Sequence, residues 1–139
     1  NYTVKNPQTI STLYLDAPVL NVTSWPGGYG ASERYPKEWE ECKAVYHLTD
    51  ETALSFRGNP IDKMEELLKA NVKIIMVAGA VDSVVPYQEN GAKLATYYQE
   101  NNGEIQVIVK PDCDHHPHSL KNPDPIVSYI VHNFENLKQ

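Results

Sequence analysis

Hydrophobic positions along the chain fall into two patterns, short continuous runs and runs with three- and four-residue spacing. The continuous runs are rich in the β-branched and aromatic residues that strands favour, and they cover residues 11–15, 73–79 and 105–109. The second run is apolar from Ile74 to Gly79, which is typical of a strand buried on both faces of a parallel sheet. The sequence therefore predicts three strands.

Four segments show helical spacing instead: residues 36–48, 60–71, 88–101 and 125–137. In the first, Pro36 stands where a first helical position tolerates proline. The apolar positions of this helix are Trp39, Cys42, Val45 and Tyr46. Those of the last helix are Ile126, Val127, Tyr129, Ile130 and Phe134. Strands that alternate with crossovers of helical length predict an α/β fold with a parallel sheet.

Length, net charge and cysteine content limit the kinds of protein and partner that this sequence fits. A chain of 139 residues predicts one domain with its own core. The formal net charge of −6 argues against nucleic acid and against an anionic membrane as partners, since neither attracts that sign. No apolar run approaches the roughly 20 residues that span a bilayer. Cys42 and Cys113 are too few for a disulfide framework, and we expect two free thiols.

Candidate chemistry follows two of the predicted strands. The segment 80–86, which contains Asp82, comes after the strand ending at Gly79, and the segment 110–118 carries His115, His116 and His118. Functional groups of parallel α/β sheets lie just beyond the carboxyl ends of the strands. We therefore expect a carboxylate and a histidine cluster to meet there, in the arrangement that orients an imidazole and stabilises its protonated form.

These two segments resemble the C-terminal half of the α/β-hydrolase family. Residues 77–86 are similar to the loop that carries the family's triad acid, and residues 111–120 are similar to its histidine loop. The resemblance implies a parallel-sheet α/β-hydrolase fold. Residues 1–139 would form the C-terminal portion of a single domain, with three strands, flanking helices and a cap-like insertion at about residues 25–59.

The resemblance also implies roles. Asp82 would be the triad acid and His115 the catalytic base of a serine hydrolase without a cofactor, with His116 and His118 as the alternatives for the base. The implied substrate is a small-molecule carboxylic ester, and a carbohydrate-linked ester is one candidate. The family has glycines around its histidine loop, where this chain has Asp112 and Asp114. Aspartate tolerates the left-handed backbone better than most residues, so we expect the turn to survive.

The nucleophile of such a triad is missing from the sequence. The nearest string to a Gly-x-Ser-x-Gly elbow, residues 30–34 around Ser32, lacks the second glycine and follows no predicted strand. We expect the serine to lie upstream of Asn1. The partner of this chain would then be an N-terminal segment of the same enzyme or a second copy in an intertwined dimer.

Two other functions remain open from the residues alone. Cys113, His115 and His118 offer donors for a metal-binding module, because thiolate and imidazole suit zinc. A scaffold that binds a ligand at the rim without turning it over is the non-catalytic alternative. Trp25 and Tyr29, in a segment rich in turn residues, are candidates for the wall of a substrate pocket, with ordinary loop packing as the equal alternative.

Overall fold

A three-stranded parallel sheet forms the centre of the structure, a computed structural model that describes residues 2–137. The strands β1 (Thr12–Asp16), β2 (Lys73–Gly79) and β3 (Ile105–Lys110) lie in the order β1-β2-β3. The middle strand is the most apolar one, and every residue after Lys73 in it is buried. All three predicted strands and their parallel arrangement are confirmed.

Helices flank this sheet. Within residues 2–137 the α-helices are α1 (Tyr2–Lys5), α2 (Pro36–Tyr46), α3 (Met64–Lys69), α4 (Gly91–Glu100) and α5 (Asp124–Asn136). The predicted helix at 60–71 begins as a 3₁₀ turn, Pro60–Lys63, before α3. The one predicted from residue 88 begins three residues later, after a 3₁₀ turn at Tyr87–Glu89. No helix in the described range has the length and apolar character needed to cross a membrane.

The hydrophobic core has two sides because successive side chains of β2 point to opposite faces of the sheet. Ile74 and Met76 pack with residues of α3 and α4, and the Tyr98 hydroxyl of α4 donates a 2.9 Å hydrogen bond to the Val72 carbonyl. Ile75 and Val77 pack on the other side, against α5. The chain is therefore a mixed α/β structure with helices on both faces of the sheet.

A long segment between β1 and α3, residues 17–59, contains α2 and a small core of its own, built from Val22, Trp39 and Ala53. We call it the insertion. It covers the predicted cap at about residues 25–59, and its role as a cap stays a prediction.

One buried side chain, Asn90, fastens the insertion to the body of the molecule. Its Oδ1 accepts hydrogen bonds from the backbone N–H groups of Leu20 and Asn21, both at 2.9 Å. Its amide nitrogen donates to Ser24 Oγ and to the Pro86 carbonyl, both at 3.1 Å. Because Pro86 follows β2, the same side chain joins the insertion to the loop at the end of the central strand.

Inside the insertion, Asp50 collects several donors. Its Oδ1 accepts from the Tyr29 hydroxyl at 2.8 Å and from Trp39 Nε1 at 3.0 Å, and it lies 3.3 Å from an Arg34 nitrogen. Its Oδ2 accepts from Lys43 Nζ at 3.3 Å. The hydrogen bond from Trp39, followed by those from Tyr29 and Lys43, holds the pKa of the Asp50 carboxyl well below its usual range.

The predicted apolar faces of two helices are wider than the faces that pack. In α2, Trp39 is buried in the small core of the insertion, with Cys42 packed against that core, but Val45 is 71% exposed and lies outside it. In α5, Ile126 is buried against the sheet, whereas Val127 and Ile130 are 53% and 38% exposed. Helical spacing identified these helices correctly and overstated how much of each is covered.

Candidate active site

The loop after β2 holds Asp82 in a fixed orientation. The Asp82 side chain is only 2% exposed, and its Oδ1 accepts hydrogen bonds from the backbone N–H groups of Val84 at 3.0 Å and Val85 at 2.8 Å. An aspartate that accepts from the backbone two and three residues ahead is the usual way such a turn closes. Since Oδ1 is engaged by the turn, Oδ2 is left to face the neighbouring loop.

That neighbouring loop, residues 111–118 after β3, brings His115 to Asp82. His115 Nδ1 lies 2.9 Å from Asp82 Oδ2, and the histidine side chain is 19% exposed. A carboxylate can only accept, so Nδ1 of the neutral imidazole carries the proton, and Nε2 has the free lone pair. Within residues 2–137 no group hydrogen-bonds to that Nε2. The pair can therefore take a proton from a third group and stabilise the resulting imidazolium.

A second aspartate, Asp114, joins the two loops through hydrogen bonds to Ser83 and His115, which we call the clasp. Its Oδ1 accepts from the backbone N–H groups of Ser83 at 2.8 Å and His115 at 2.7 Å. Its Oδ2 accepts from Ser83 Oγ at 2.7 Å. These bonds, with the Ser83 N–H first, lower the pKa of the Asp114 carboxyl. The charged form thus joins the residue after the acid to the residue before the histidine.

Gly79, the last residue of β2, allows the two loops to approach each other. A Cβ atom at this position would overlap the backbone carbonyl oxygens of Cys113 and Asp114. The Val81 N–H donates to the Cys113 carbonyl at 3.2 Å, which fastens the same crossing. Only glycine leaves room for the histidine loop to cross the end of the central strand.

The other two histidines surround His115 and do not contact Asp82. The ring of His116 lies 5.1 Å from that of His115 and 4.5 Å from that of His118, measured between centroids. His118 Nδ1 lies 3.7 Å from Asp16 Oδ2, at the carboxyl end of β1. Of the three histidines, His115 is the one that the structure pairs with the predicted acid.

The predicted metal ligands come together only in part. One ring nitrogen each from His115, His116 and His118 lie within 4.8 Å of one another, and Cys113 is not in this group. The expected set of Cys113, His115 and His118 is therefore wrong in one member, because the Cys113 backbone is turned toward the end of β2. Cys113 and Cys42 are free thiols, as predicted.

The predicted pocket residues Trp25 and Tyr29 pack within the insertion. The ring centroid of Trp25 lies 5.7 Å from that of Tyr35, and Tyr29 packs edge-on against Trp39 at 5.8 Å while its hydroxyl donates to Asp50. None of these contacts involves Asp82 or a histidine. A role for either ring in a substrate pocket stays a prediction.

Several serine hydroxyls of the described chain are engaged away from His115. Ser83 Oγ donates to Asp114, Ser119 Oγ accepts from the Tyr14 hydroxyl at 2.9 Å, and the buried Ser32 Oγ donates to the Ser24 carbonyl at 2.9 Å. Among residues 2–137, none is hydrogen-bonded to His115. The structure thus assembles an acid and a base without a nucleophile from the same residues.

The role of Asp114 was missed by sequence reasoning, which treated Asp112 and Asp114 as substitutes for glycine in a left-handed turn. Neither has a positive φ; in this region of the chain the left-handed residue is Ser119, with φ of 57°. The expectation was wrong because the turn is closed by a side chain, not by unusual backbone. The sequence feature that could have indicated this role is a carboxylate directly before His115 together with a serine directly after Asp82.

No family model matches the chain, and no curated protein matches it in sequence. Among solved structures it is similar to a mutant of puromycin hydrolase crystallised in complex with PGG, at 16% sequence identity and a TM-score of 0.49. The match covers 86% of this chain and 16% of the other, so the chain spans about one sixth of that protein's length.

Proposed function

We propose that the chain supplies the acid and the base of a serine hydrolase of the α/β-hydrolase type, which acts on carboxylic esters. Asp82 is the acid and His115 the base. The observation that carries the proposal is the 2.9 Å contact between Asp82 Oδ2 and His115 Nδ1, with the carboxylate buried and the second ring nitrogen open. The ester substrate comes from the family resemblance of the two loops.

In this mechanism the proton moves through His115 Nε2. As the serine oxygen bonds to the acyl carbon, Nε2 takes the hydroxyl proton, and Asp82 stabilises the imidazolium. The C–O bond to the alcohol then breaks, and Nε2 gives its proton to the leaving alkoxide. A water molecule attacks the acyl-enzyme in the second half, transferring its proton to Nε2 and from there to the serine, which releases the carboxylic acid.

The surroundings of the pair favour this chemistry. Asp82 is held by two backbone donors and His115 by the clasp through Asp114, so both groups have little freedom to leave their geometry. A charge interaction in a site with little water is stronger than the same interaction in bulk solvent. The pair is therefore organised before any substrate binds.

The serine would come from outside residues 1–139, on a strand added beside β1. In the described sheet β1 pairs with β2 on one side only. An apolar groove next to it is lined by side chains that include Leu13, Leu15 and Met64, and a helix could fill it. Since Asp16 ends β1 close to His118, the end of an adjacent parallel strand would lie at the same rim. An N-terminal segment of the same enzyme or an intertwined second copy could provide the strand.

The test is hydrolysis of p-nitrophenyl acetate by the complete encoded protein, together with labelling by a fluorophosphonate probe. We expect Asp82→Asn and His115→Ala to abolish both signals while circular dichroism remains that of the parent. Asp112→Asn, in the same histidine loop, and His132→Ala, on α5, are the matched controls and should retain activity. Full activity in His115→Ala would overturn the proposal, and a folded parent protein without activity or labelling would favour the non-catalytic scaffold.

The substrate class is tested separately. Initial rates are compared for p-nitrophenyl acetate, an acetylated sugar and a peptide anilide at equal concentrations. We expect both esters to be hydrolysed and the anilide to be left intact. Preference for the anilide would keep Asp82 and His115 in their roles and would overturn the ester assignment.

A further inference from the structure

The three histidines of the loop after β3 form a cluster of nitrogen donors on one side of the candidate site. A ring nitrogen from each of His115, His116 and His118 lies within 4.8 Å of the others. His116 and His118 are exposed, and His115 is partly buried. Imidazole is a ligand for borderline cations such as Zn²⁺ and Cu²⁺, and it is a poor one for Mg²⁺ or Ca²⁺, which require oxygen.

One of these imidazoles already has the hydrogen-bonded carboxylate partner that metal-binding histidines use, and a second has a carboxylate nearby. His115 Nδ1 faces Asp82 Oδ2 at 2.9 Å, and His118 Nδ1 faces Asp16 Oδ2 at 3.7 Å. Histidine ligands almost always direct their second ring N–H to a carboxylate, a carbonyl or water, which fixes the tautomer and makes the ligating nitrogen more basic. The hydrogen bond to Asp82 therefore leaves Nε2 as the nitrogen that His115 offers to a metal. The 3.7 Å between His118 Nδ1 and Asp16 Oδ2 is too long for a direct hydrogen bond, so Asp16 acts on His118 through its charge.

The distances are close to what a metal needs. Zinc–nitrogen bonds of about 2.0–2.1 Å in a tetrahedral site place the nitrogens roughly 3.4 Å apart, so the widest pair here must close by ~1.4 Å. Rotation of the two exposed rings can supply this movement, because neither ring is packed in the core. The loop that carries them is held by Lys110, whose Nζ donates to the carbonyls of Pro117 and Ser119.

We propose that His115, His116 and His118 bind one Zn²⁺ or Cu²⁺ ion, and that this ion is a reversible inhibitor of the enzyme. Metal binding stands on the three imidazoles alone, whereas inhibition rests on the function proposed above. The ion would bind to the lone pair of His115 Nε2, and the same lone pair takes the proton of the serine. His115 therefore cannot bind the ion and act as a base at the same time. Water would complete the metal's fourth position. The open, solvent-facing side of the cluster suits an exchangeable ion more than a catalytic one, which needs a shaped, dry cavity.

Binding is tested by calorimetric titration of the complete encoded protein with Zn²⁺ after treatment with a chelator. We expect one ion per chain, and at least a tenfold weaker Kd in His116→Ala and in His118→Ala. Asp16→Asn should weaken binding less than either histidine variant, because it removes only a nearby negative charge. His132→Ala removes a histidine outside the cluster and should bind as the parent does. Unchanged affinity in His118→Ala would overturn the site.

The geometry is tested with Co²⁺ in place of Zn²⁺. We expect the visible absorption bands of a four-coordinate site with nitrogen donors, and their loss in the double variant His116→Ala/His118→Ala. A folded double variant that keeps these bands would place the ion elsewhere and overturn the proposal.

Inhibition is then measured as hydrolysis of p-nitrophenyl acetate at increasing Zn²⁺, each variant being compared with its own metal-free rate. We expect the parent to lose more than nine-tenths of its rate and to regain it with chelator, and the double variant to lose little. Activation by Zn²⁺ would overturn the inhibitory role. Loss of hydrolysis in His115→Ala without any zinc binding by the parent would overturn this inference and leave the proposed function standing.

Discussion

Among residues 2–137, two aspartates accept a hydrogen bond from a ring nitrogen, and their surroundings differ. Asp82 is buried and pairs with His115, whose other nitrogen can gain and lose a proton. Asp50 is half-exposed and accepts from Trp39, whose indole N–H donates and cannot exchange roles. Lys43 completes the surroundings of Asp50 with a cation.

The difference shows what separates a site from a structural cluster. At Asp50 the donors all belong to the insertion, and their hydrogen bonds to the carboxylate hold its segments together. At Asp82 the backbone satisfies one oxygen, and the second oxygen acts on a group that remains open on its far side. Burial and hydrogen bonds are common to both aspartates; what differs is the partner, an imidazole with a second ring nitrogen at Asp82 and an indole with none at Asp50.

The largest expected effect is the loss of kcat in Asp82→Asn, and Asp50→Asn is its comparison. In Asp82→Asn the amide can donate to His115 Nδ1, which places the proton on Nε2 and removes the base. We expect kcat of the complete encoded protein to fall by about three to four orders of magnitude, as such a tautomer change does in triads. Asp50→Asn should stay within a few-fold of the parent. Equal losses in the two variants would break the comparison.

A large effect on stability is expected on the side of the insertion. Trp39 is 1% exposed, so Trp39→Ala should lower the free energy of unfolding of the insertion by about 3–5 kcal/mol through the cavity it leaves. Trp39→Phe keeps most of the ring and loses the bond to Asp50, and should cost about 1–2 kcal/mol. Urea unfolding followed by circular dichroism measures both. Similar costs for the two variants would show that the hydrogen bond, not packing, dominates.

A smaller effect sharpens the role of the clasp between the two loops. Ser83→Ala removes the hydroxyl that donates to Asp114, and we expect kcat to fall by about tenfold with KM nearly unchanged, because His115 is held less firmly. A larger loss should occur in Asp114→Ala, which also removes the acceptor of the Ser83 and His115 N–H groups, and the double variant should be no worse than Asp114→Ala. Additive losses would mean that the two residues act separately.

The smallest effect is on the pH dependence of stability. The donors around Asp50 lower its pKa in the folded chain below the unfolded value of about 3.9. Their stabilisation is therefore fully present above that pH and is lost as the pH falls below it. Urea midpoints at pH 5 and pH 3 should differ more for the parent than for Asp50→Asn. An equal change of the urea midpoint in the two proteins would show that protonation of Asp50 does not lower the stability in acid.

Strand positions and the approach of acid to base could be predicted from the sequence. Apolar runs at residues 73–79 and 105–109 predict adjacent parallel strands, and groups that follow such strands meet at one rim. The order of these segments along the chain is therefore enough to bring Asp82 to the histidine cluster, and the choice of His115 over His116 and His118 needs the structure. The rule needs no knowledge of side-chain packing.

The clasp and the insertion could not be predicted in the same way. Whether Asp114 reaches Ser83 depends on how closely two loops cross above Gly79, and no periodicity encodes that distance. The insertion is mostly irregular, so its core around Trp39 has no repeating pattern, and the exposure of Val45 follows from what α2 packs against. Local patterns identify elements, whereas the contacts between loops are decided in three dimensions.

Asn90 hydrogen-bonds both the insertion and the loop that carries Asp82, and so couples the two segments. It holds backbone groups of Leu20 and Asn21 on one side and of Pro86 on the other, and it is 1% exposed. An opening of the insertion that breaks these bonds leaves buried polar groups without partners at the end of the central strand, which is costly. We therefore expect the two segments to open together, so that amide exchange in both follows a single opening event.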